Sequence, residues 1–208
     1  MKTALGEIPC DVLADVGGAA GPPTLDALCG RLTQEPYTLL HVICHGQVDP
    51  ASKDTNLFWA SGDSKKSLER VSGNVLIERL RRLGVTHGLP RFALLSTCES
   101  ASPGAEGALG GLAQRLVREL GMPAVVAMTE KVSVATAQAL SEGFYRRLGE
   151  HGEAARALSE ATASLAGRFD STVPALFSRL GGRPLFSDIL DRELTCQEQE
   201  FGLSRLET

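Results

Sequence analysis

The sequence predicts an α/β domain in which a mostly parallel sheet carries helices on both faces. Two features of the chain predict this. Short apolar runs, Leu39 to Cys44, Phe92 to Thr97 and Ala124 to Met128, read as strands buried on both sides, and the segments between them place leucines at helical spacing. Strands and helices alternate along the chain, the pattern of crossover-connected parallel strands. At 208 residues with 43% apolar side chains, the chain is long enough for one domain with a full core.

From the N-terminal end, Ile8 to Val16 is short and apolar and runs into Gly17, Gly18, Gly21, Pro22 and Pro23, so it reads as a strand and a loop. Thr24 is placed to cap a helix carrying Leu25, Leu28 and Leu32, and Pro36 and Tyr37 lead into the strand that ends before His45. Between Gly46 and Ser72 runs a long polar connection. Within it, Leu57 to Ala60 followed by Ser61, Gly62 and Asp63 suggests a hairpin with its turn at the tip.

Asn74 to Leu83 reads as a helix burying Val75, Leu76, Leu80 and Leu83 and stopped by Gly84. After the Cys98 strand, Gly104 to Gly111 opens a helix with Leu112, Leu116 and Leu120 that stops at Gly121. Ala124 to Met128 follows as a buried strand. Ser133 starts a longer helix through Ala137, Leu140, Phe144 and Leu148, and Gly152 to Ala166 forms another. Pro174 to Ser178 and Arg183 to Phe186 read as late strands around a Gly181–Gly182 turn, and 187–208 as a charged tail or linker.

Composition narrows the function classes. Lys plus Arg at 21 against Asp plus Glu at 25 give a net charge of −4, which recruits neither nucleic acid nor an anionic membrane. The basic stretch from Glu78 to Arg82 is interleaved with leucine and fits a solvated helix face or a docking surface. Five cysteines without CxxC spacing, and no secretory leader, favour free thiols in a reducing, cytoplasmic compartment. No apolar run approaches the roughly 18 to 20 residues that span a bilayer.

The candidate chemistry sits at two strand ends. One apolar run delivers His45 and Gly46; the other delivers Cys98 and Glu99. Parallel strands share one carboxyl edge, and neighbours lie about 4.8 Å apart, so side chains just past adjacent strands can converge on one substrate. Cys98 is then the candidate nucleophile and His45 its proton partner, with the N–H groups of Gly46 and Cys98 forming an oxyanion hole. A side chain at Gly46 would block the approach of a substrate backbone. The bland alternative is that Cys98 is simply core, as most strand-end cysteines are.

Asp49, Glu99 and Glu106 near that edge are candidate substrate-pocket acids, which would favour a basic residue before the cleaved bond, or else solvated loop acids. Trp59, with Phe58, is a candidate pocket wall or hairpin anchor. His41 and His45 are four apart, which on a strand separates them by about 13 Å and excludes a shared zinc, so His41 reads as a packed core residue. Gly104 to Gly111 has neither a P-loop lysine nor GxGxxG order, so neither metal nor nucleotide cofactor is expected.

The runs Leu39-Leu40-His41-Val42-Ile43-Cys44-His45-Gly46 and Leu95-Ser96-Thr97-Cys98-Glu99-Ser100-Ala101 resemble the two signature segments of the CHAT family of caspase-like peptidases, related to caspases and separase. The histidine-then-cysteine order, about 50 residues apart, matches the caspase interval. Gly121 to Met128, the Phe144–Tyr145 helix, Pro174 to Phe177 and Arg183 to Phe186 are similar in order and spacing, so the resemblance covers roughly residues 8 to 186.

The resemblance implies a caspase-like three-layer sandwich, a His45–Cys98 dyad with no third acid, and a domain spanning 1–186. It also implies a protein substrate and a latent protease switched on by a linked sensor or adaptor in bacterial signalling or defence. Two departures stand out. The family usually has an extra strand and helix before the segment matching Ile8 to Val16, so that either this is an excised portion or a neighbouring element completes the sheet. It also usually carries a small residue where Cys44 stands. A non-catalytic interaction module with the same fold is the alternative from a different function class.

Overall fold

The computed structural model describes residues 9–62, 67–97 and 111–186. Helix α1, Leu25–Gln34, starts where the Thr24 hydroxyl accepts the Ala27 N–H, and buries Leu25, Leu28, Cys29 and Leu32 on one face. Strand β1, Leu39–Ile43, follows. The chain bends at Cys44 and enters an antiparallel meander of β2, His45–Val48, β3, Thr55–Ala60, and β4, Leu68–Ser72. The expected hairpin is therefore present, and a third strand joins it because His45 to Val48 pairs with Phe58 to Thr55.

Ser72 caps α2, Gly73–Thr86, and β5, Phe92–Ser96, comes next. Beyond residue 110 come α3, Leu112–Glu119, β6, Ala124–Met128, α4, Val134–His151, α5, Ala154–Ala163, and β7, Pro174–Ser178. Ser133 caps α4 as its sequence position predicts, by accepting the Thr136 N–H. Gly121 leaves α3 at φ 72°, where a glycine carries no steric penalty.

The main sheet has the order β1-β5-β6-β7, with β1, β5 and β6 parallel and β7 antiparallel to β6. Alternation along its strands feeds two cores. Val42, Ala93, Leu95, Val125 and Ala127 pack with α1, α2, α3 and the inner face of the meander. Phe92, Leu94, Ala124, Val126 and Met128 pack with α4 and α5, where the rings of Phe92 and Phe144 stack at 5.2 Å. This is the mixed α/β, three-layer arrangement of a caspase-like sandwich, its mostly parallel sheet covered on both faces.

Several local expectations are corrected. The described part of the Ile8 to Val16 run is not a strand. It folds back on its own loop, with Ala20 N–H donating to Val12 and Ala14 N–H to Gly21, and makes only an isolated bridge between Leu13 and Gly21. Helix α2 does not stop at Gly84. Its next turn packs against Leu89, which lies 3.2 Å from where a Cβ on Gly84 would sit, and Gly88, at φ 75°, makes the exit instead. On that helix Ile77, not Val75, is buried, and Val75 faces outward.

Arg183 to Phe186 is not a strand either, because the N–H groups of Leu185 and Phe186 both donate to the Gly152 carbonyl and pin this segment to the end of α4. The segment 187–208 lies outside the described residues.

Gly152 closes α4 in the left-handed conformation, at φ 71°, directly beneath the Phe186 backbone. Any other residue there meets both a conformational penalty of about 1–2 kcal/mol and overlap with the Phe186 carbonyl oxygen. The variant Gly152→Ala is expected to melt at least roughly 5 °C below wild type in a calorimetric scan. Gly149→Ala, one turn of chain away in open space, is expected to leave the midpoint unchanged or slightly raised.

Candidate active site

The junction between the two sheets positions His45. β1 carries the chain along the main sheet, and Cys44, half-buried against the first core, marks the bend out of it, as its alternating position predicts. His45 then opens β2 with an exposed side chain. It stands opposite Phe58, which in turn stands opposite Arg70, so the three share one face of the meander. The other face, with Leu57, Trp59 and Val71, is core.

β1 pairs with β5 in parallel. Ile43 is level with Ser96, and two residues further on each chain are His45 and Cys98. β5 itself ends at Ser96, and the buried Thr97 follows it. Cys98, Glu99 and Glu106 lie outside the described residues. Gly46, the other oxyanion candidate, is half-buried and pairs with Leu57.

Of the remaining pocket candidates, Asp49 lies at the end of β2 with Oδ2 4.0 Å from Arg70, and Trp59 lies on the other face of the meander. Asp49 is committed to the turn between β2 and β3. One carboxylate oxygen accepts the Ala51 and Ser52 N–H groups at 2.8 and 3.0 Å, and the turn leaves Lys53 at φ 58°. Those hydrogen bonds, Ser52's first, hold its carboxyl below the usual carboxylate range. Trp59 lies in the first core on the opposite face of the meander from His45, its indole N–H buried without a partner. Phe58 is the aromatic residue that shares His45's face.

A polar pair lies beneath the strand ends. His41 Nε2 is 2.9 Å from Ser96 Oγ, bridging β1 and β5 on the face covered by α4, and the Tyr145 ring stands 5.7 Å from the imidazole. His41 Nδ1 is buried with no hydrogen-bond partner. Burial holds the His41 pKa down to about 4. The expectation that His41 packs in the interior is met. The sequence signals its pairing with Ser96 only in that strands β1 and β5 each hold one polar residue among apolar ones.

A profile of the CHAT domain matches residues 11–171, from the loop before α1 past the end of α5. The chain belongs to the CHAT-domain family. That family is related to the caspase-like cysteine peptidases. No curated protein matches the chain.

Within this CHAT domain a second network fixes the meander against the helices. The Asp54 carboxylate, at the start of β3, accepts the Thr55 N–H at 2.9 Å and the Asn74 N–H of α2 at 3.0 Å. Arg115 of α3 reaches it at 3.4 Å, the pair being 14% and 11% exposed, and its Nε also donates to Glu119 at 2.7 Å. Gly73 makes room for this, since a Cβ there would lie 2.6 Å from Asp54 Oδ1. Asp54 thus ties the element that bears His45 to the helix that follows the Cys98 segment. No spacing in the sequence signals it, because the partners are far apart along the chain.

Among the described residues no group of three His, Cys, Asp or Glu could hold a metal ion, and no helix is long and apolar enough to cross a membrane.

The buried His41 makes stability depend on pH with a definite sign. With a folded value of about 4 and an ordinary value of 6.5, the unfolded chain takes up the proton first as pH falls. Stability is therefore unaffected above about 6.5 and declines between 6.5 and 4. Denaturant titrations at pH 7 and 4.5 are expected to show wild type losing about 2 to 3 kcal/mol more than His41→Gln, which has no proton to take up.

Proposed function

We propose that the domain is a cysteine endopeptidase in which Cys98 attacks the scissile carbonyl and His45 manages the protons. The observation that carries this reading is the level register of Ile43 with Ser96, from which the chain runs two residues to His45 and two to Cys98. Family membership supports it, through the relation of CHAT domains to caspase-like cysteine peptidases.

In this mechanism the imidazole of His45 takes the thiol proton, and the Cys98 thiolate adds to the carbonyl carbon. The N–H groups of Gly46 and Cys98 hold the resulting oxyanion. The tetrahedral adduct collapses as His45 returns the proton to the leaving amine, giving an acyl-enzyme. A water deprotonated by His45 then releases the carboxylic acid product and the thiolate. No third acid is needed, since a thiolate forms with less assistance than an alkoxide.

Asp49, one oxygen of which is held in its turn, Glu99 and Glu106 are the acids that would favour a basic residue before the cleaved bond. The reading includes a protein substrate, a cytoplasmic setting, and control by a sensor or adaptor, linked or separate, in bacterial signalling or defence. Residues 187–208 act as tail or linker to the catalytic unit 1–186.

Mapping of new peptide N-termini tests the reading, in lysate and with the full-length protein and its co-encoded partners. Cleavages are expected with wild type, absent with Cys98→Ala and reduced about 10²- to 10⁴-fold with His45→Ala. Identical N-termini from all three proteins would overturn it in favour of a non-catalytic interaction module.

A further inference from the structure

A groove of about 330 Å³ opens at the amino edge of the main sheet, between the ends of α2 and α3 and the segments that lead from them into β5 and β6. Its wall is largely apolar. Val85, 82% exposed, stands there with Leu89 and Leu120, which pack on their other sides against the first core. Arg81 and Arg91 also line it, and Arg179 Nη1 lies 3.3 Å from where a Cβ on the lining Gly121 would sit. Among the described residues the acid of this lining is Glu119, which Arg81 at 2.8 Å and Arg115 at 2.7 Å already bond. The groove thus offers apolar surface within a basic rim. Arg81 comes from the basic stretch Glu78 to Arg82, so that stretch borders a concave surface and is not only a solvated helix face.

An exposed valine is ordinary surface by itself. What singles out this groove is the path of the chain. The N–H of Phe186 is held by the Gly152 carbonyl, and the Arg91 guanidinium lies 5.7 Å from the centre of the Phe186 ring. Phe186 is the last described residue, so the chain leaves the described domain beside an arginine of the groove. Four residues on stands Leu190, within roughly 14 Å of Phe186 at full extension.

The sequence that follows is complementary to the groove. Residues 187–208 carry six acids and two arginines, so the net charge of −4 lies wholly in them and the rest of the chain balances. Leu190, Leu194 and Phe201 recur at a spacing that places them on one face of a helix, with Asp191, Glu193, Glu198 and Glu200 to either side. A segment tethered so close is presented at an effective concentration on the order of millimolar, so a contact of modest intrinsic affinity keeps the groove filled.

We propose that the groove is the docking site of the chain's own segment 187–208, with Leu190 and Leu194 against Val85, Leu89 and Leu120 and the flanking acids facing Arg81, Arg91 and Arg179. His45 follows the carboxyl end of β1, at the opposite edge of the sheet, so the docked segment sits away from it. Docking of this kind holds whether or not the domain is a peptidase.

Photo-cross-linking in the full-length chain is the test. Leu190→p-benzoylphenylalanine keeps an apolar group at that position; the protein is irradiated in dilute solution and its cross-linked peptides are mapped by mass spectrometry. Cross-links within one chain to residues 81–91 and 118–123 are expected. Val85→Asp, at an exposed position on which the fold does not depend, should leave the melting temperature unchanged and cut their yield at least about fivefold. Asp188→Lys/Asp191→Lys/Glu193→Lys should cut it about as much. Hydrogen exchange gives a second reading without the probe: Leu190→Asp/Leu194→Asp should speed exchange of the amides in 81–91 and 118–123 at least about threefold and leave those of α4 and α5 unchanged.

Cross-links only to other parts of the same chain, or none, would overturn the docking site. Cross-links to the groove of a second chain would overturn it in favour of exchange between copies. Groove amides that exchange alike in wild type and Leu190→Asp/Leu194→Asp, with a cross-link yield that Val85→Asp leaves unchanged, would overturn it and leave the groove to a separate partner.

Discussion

The parallel pairing of β1 with β5 is the contact on which the rest of the domain depends. It joins a strand from before the meander to one from after it, and it is the boundary at which both cores meet. Helices cover both faces of this sheet, so all but the exposed Ile43 at the end of β1 lie against one layer or the other. Leu40, Val42 and Leu95 belong to the α1–α3 layer, while Leu39, Phe92 and Leu94 belong to the α4–α5 layer. A polar group inside such a sheet must find a partner within it, and His41 finds Ser96.

The two layers have different tasks. The α4–α5 side is an apolar packing unit of Phe144, Tyr145, Leu148, Ala157 and Leu158 against the strands, closed at its base by Gly152 and Leu185. The α1–α3 side also absorbs the inner face of the meander through Leu57, Trp59 and Val71. Strand β2, which bears His45, is thereby carried on a small sheet that is itself anchored in the core. The Asp54 bonds to α2 and α3 add a polar clamp at the far end of β3. His45 is exposed, yet the backbone beneath it is held from both sides.

The turn chemistry of the meander shows how a residue's surroundings choose among its roles. Asp49 is the kind of residue that could serve a substrate, but one of its carboxylate oxygens accepts two backbone N–H groups of its own turn and the other lies 4.0 Å from Arg70. Trp59 is large enough to wall a pocket, but strand alternation aims it into the core while Phe58 takes the face of His45. A period of two separates adjacent aromatic residues completely, and which of them faced His45 depended on the register between β2 and β3.

What the sequence by itself determined was the alternation of buried strands and amphipathic helices, the caps at Thr24 and Ser133, the exit at Gly121, and the two strands that end at Ile43 and Ser96. These features are local: hydrophobic period, capping side chains and glycine conformations act within a few residues. What only the tertiary structure decided was which helix end Gly84 or Gly88 would make, whether the runs at 9–16 and 183–186 would find a strand partner, and which partners Asp54, Ser96 and Trp59 would meet. Those outcomes depend on groups far away in the chain, such as Leu89 against Gly84, the Gly152 carbonyl beneath Leu185, and Arg115 opposite Asp54. A backbone run forms a strand only where an edge is free to receive it, and a buried polar group is tolerated only where its partner has already been brought alongside.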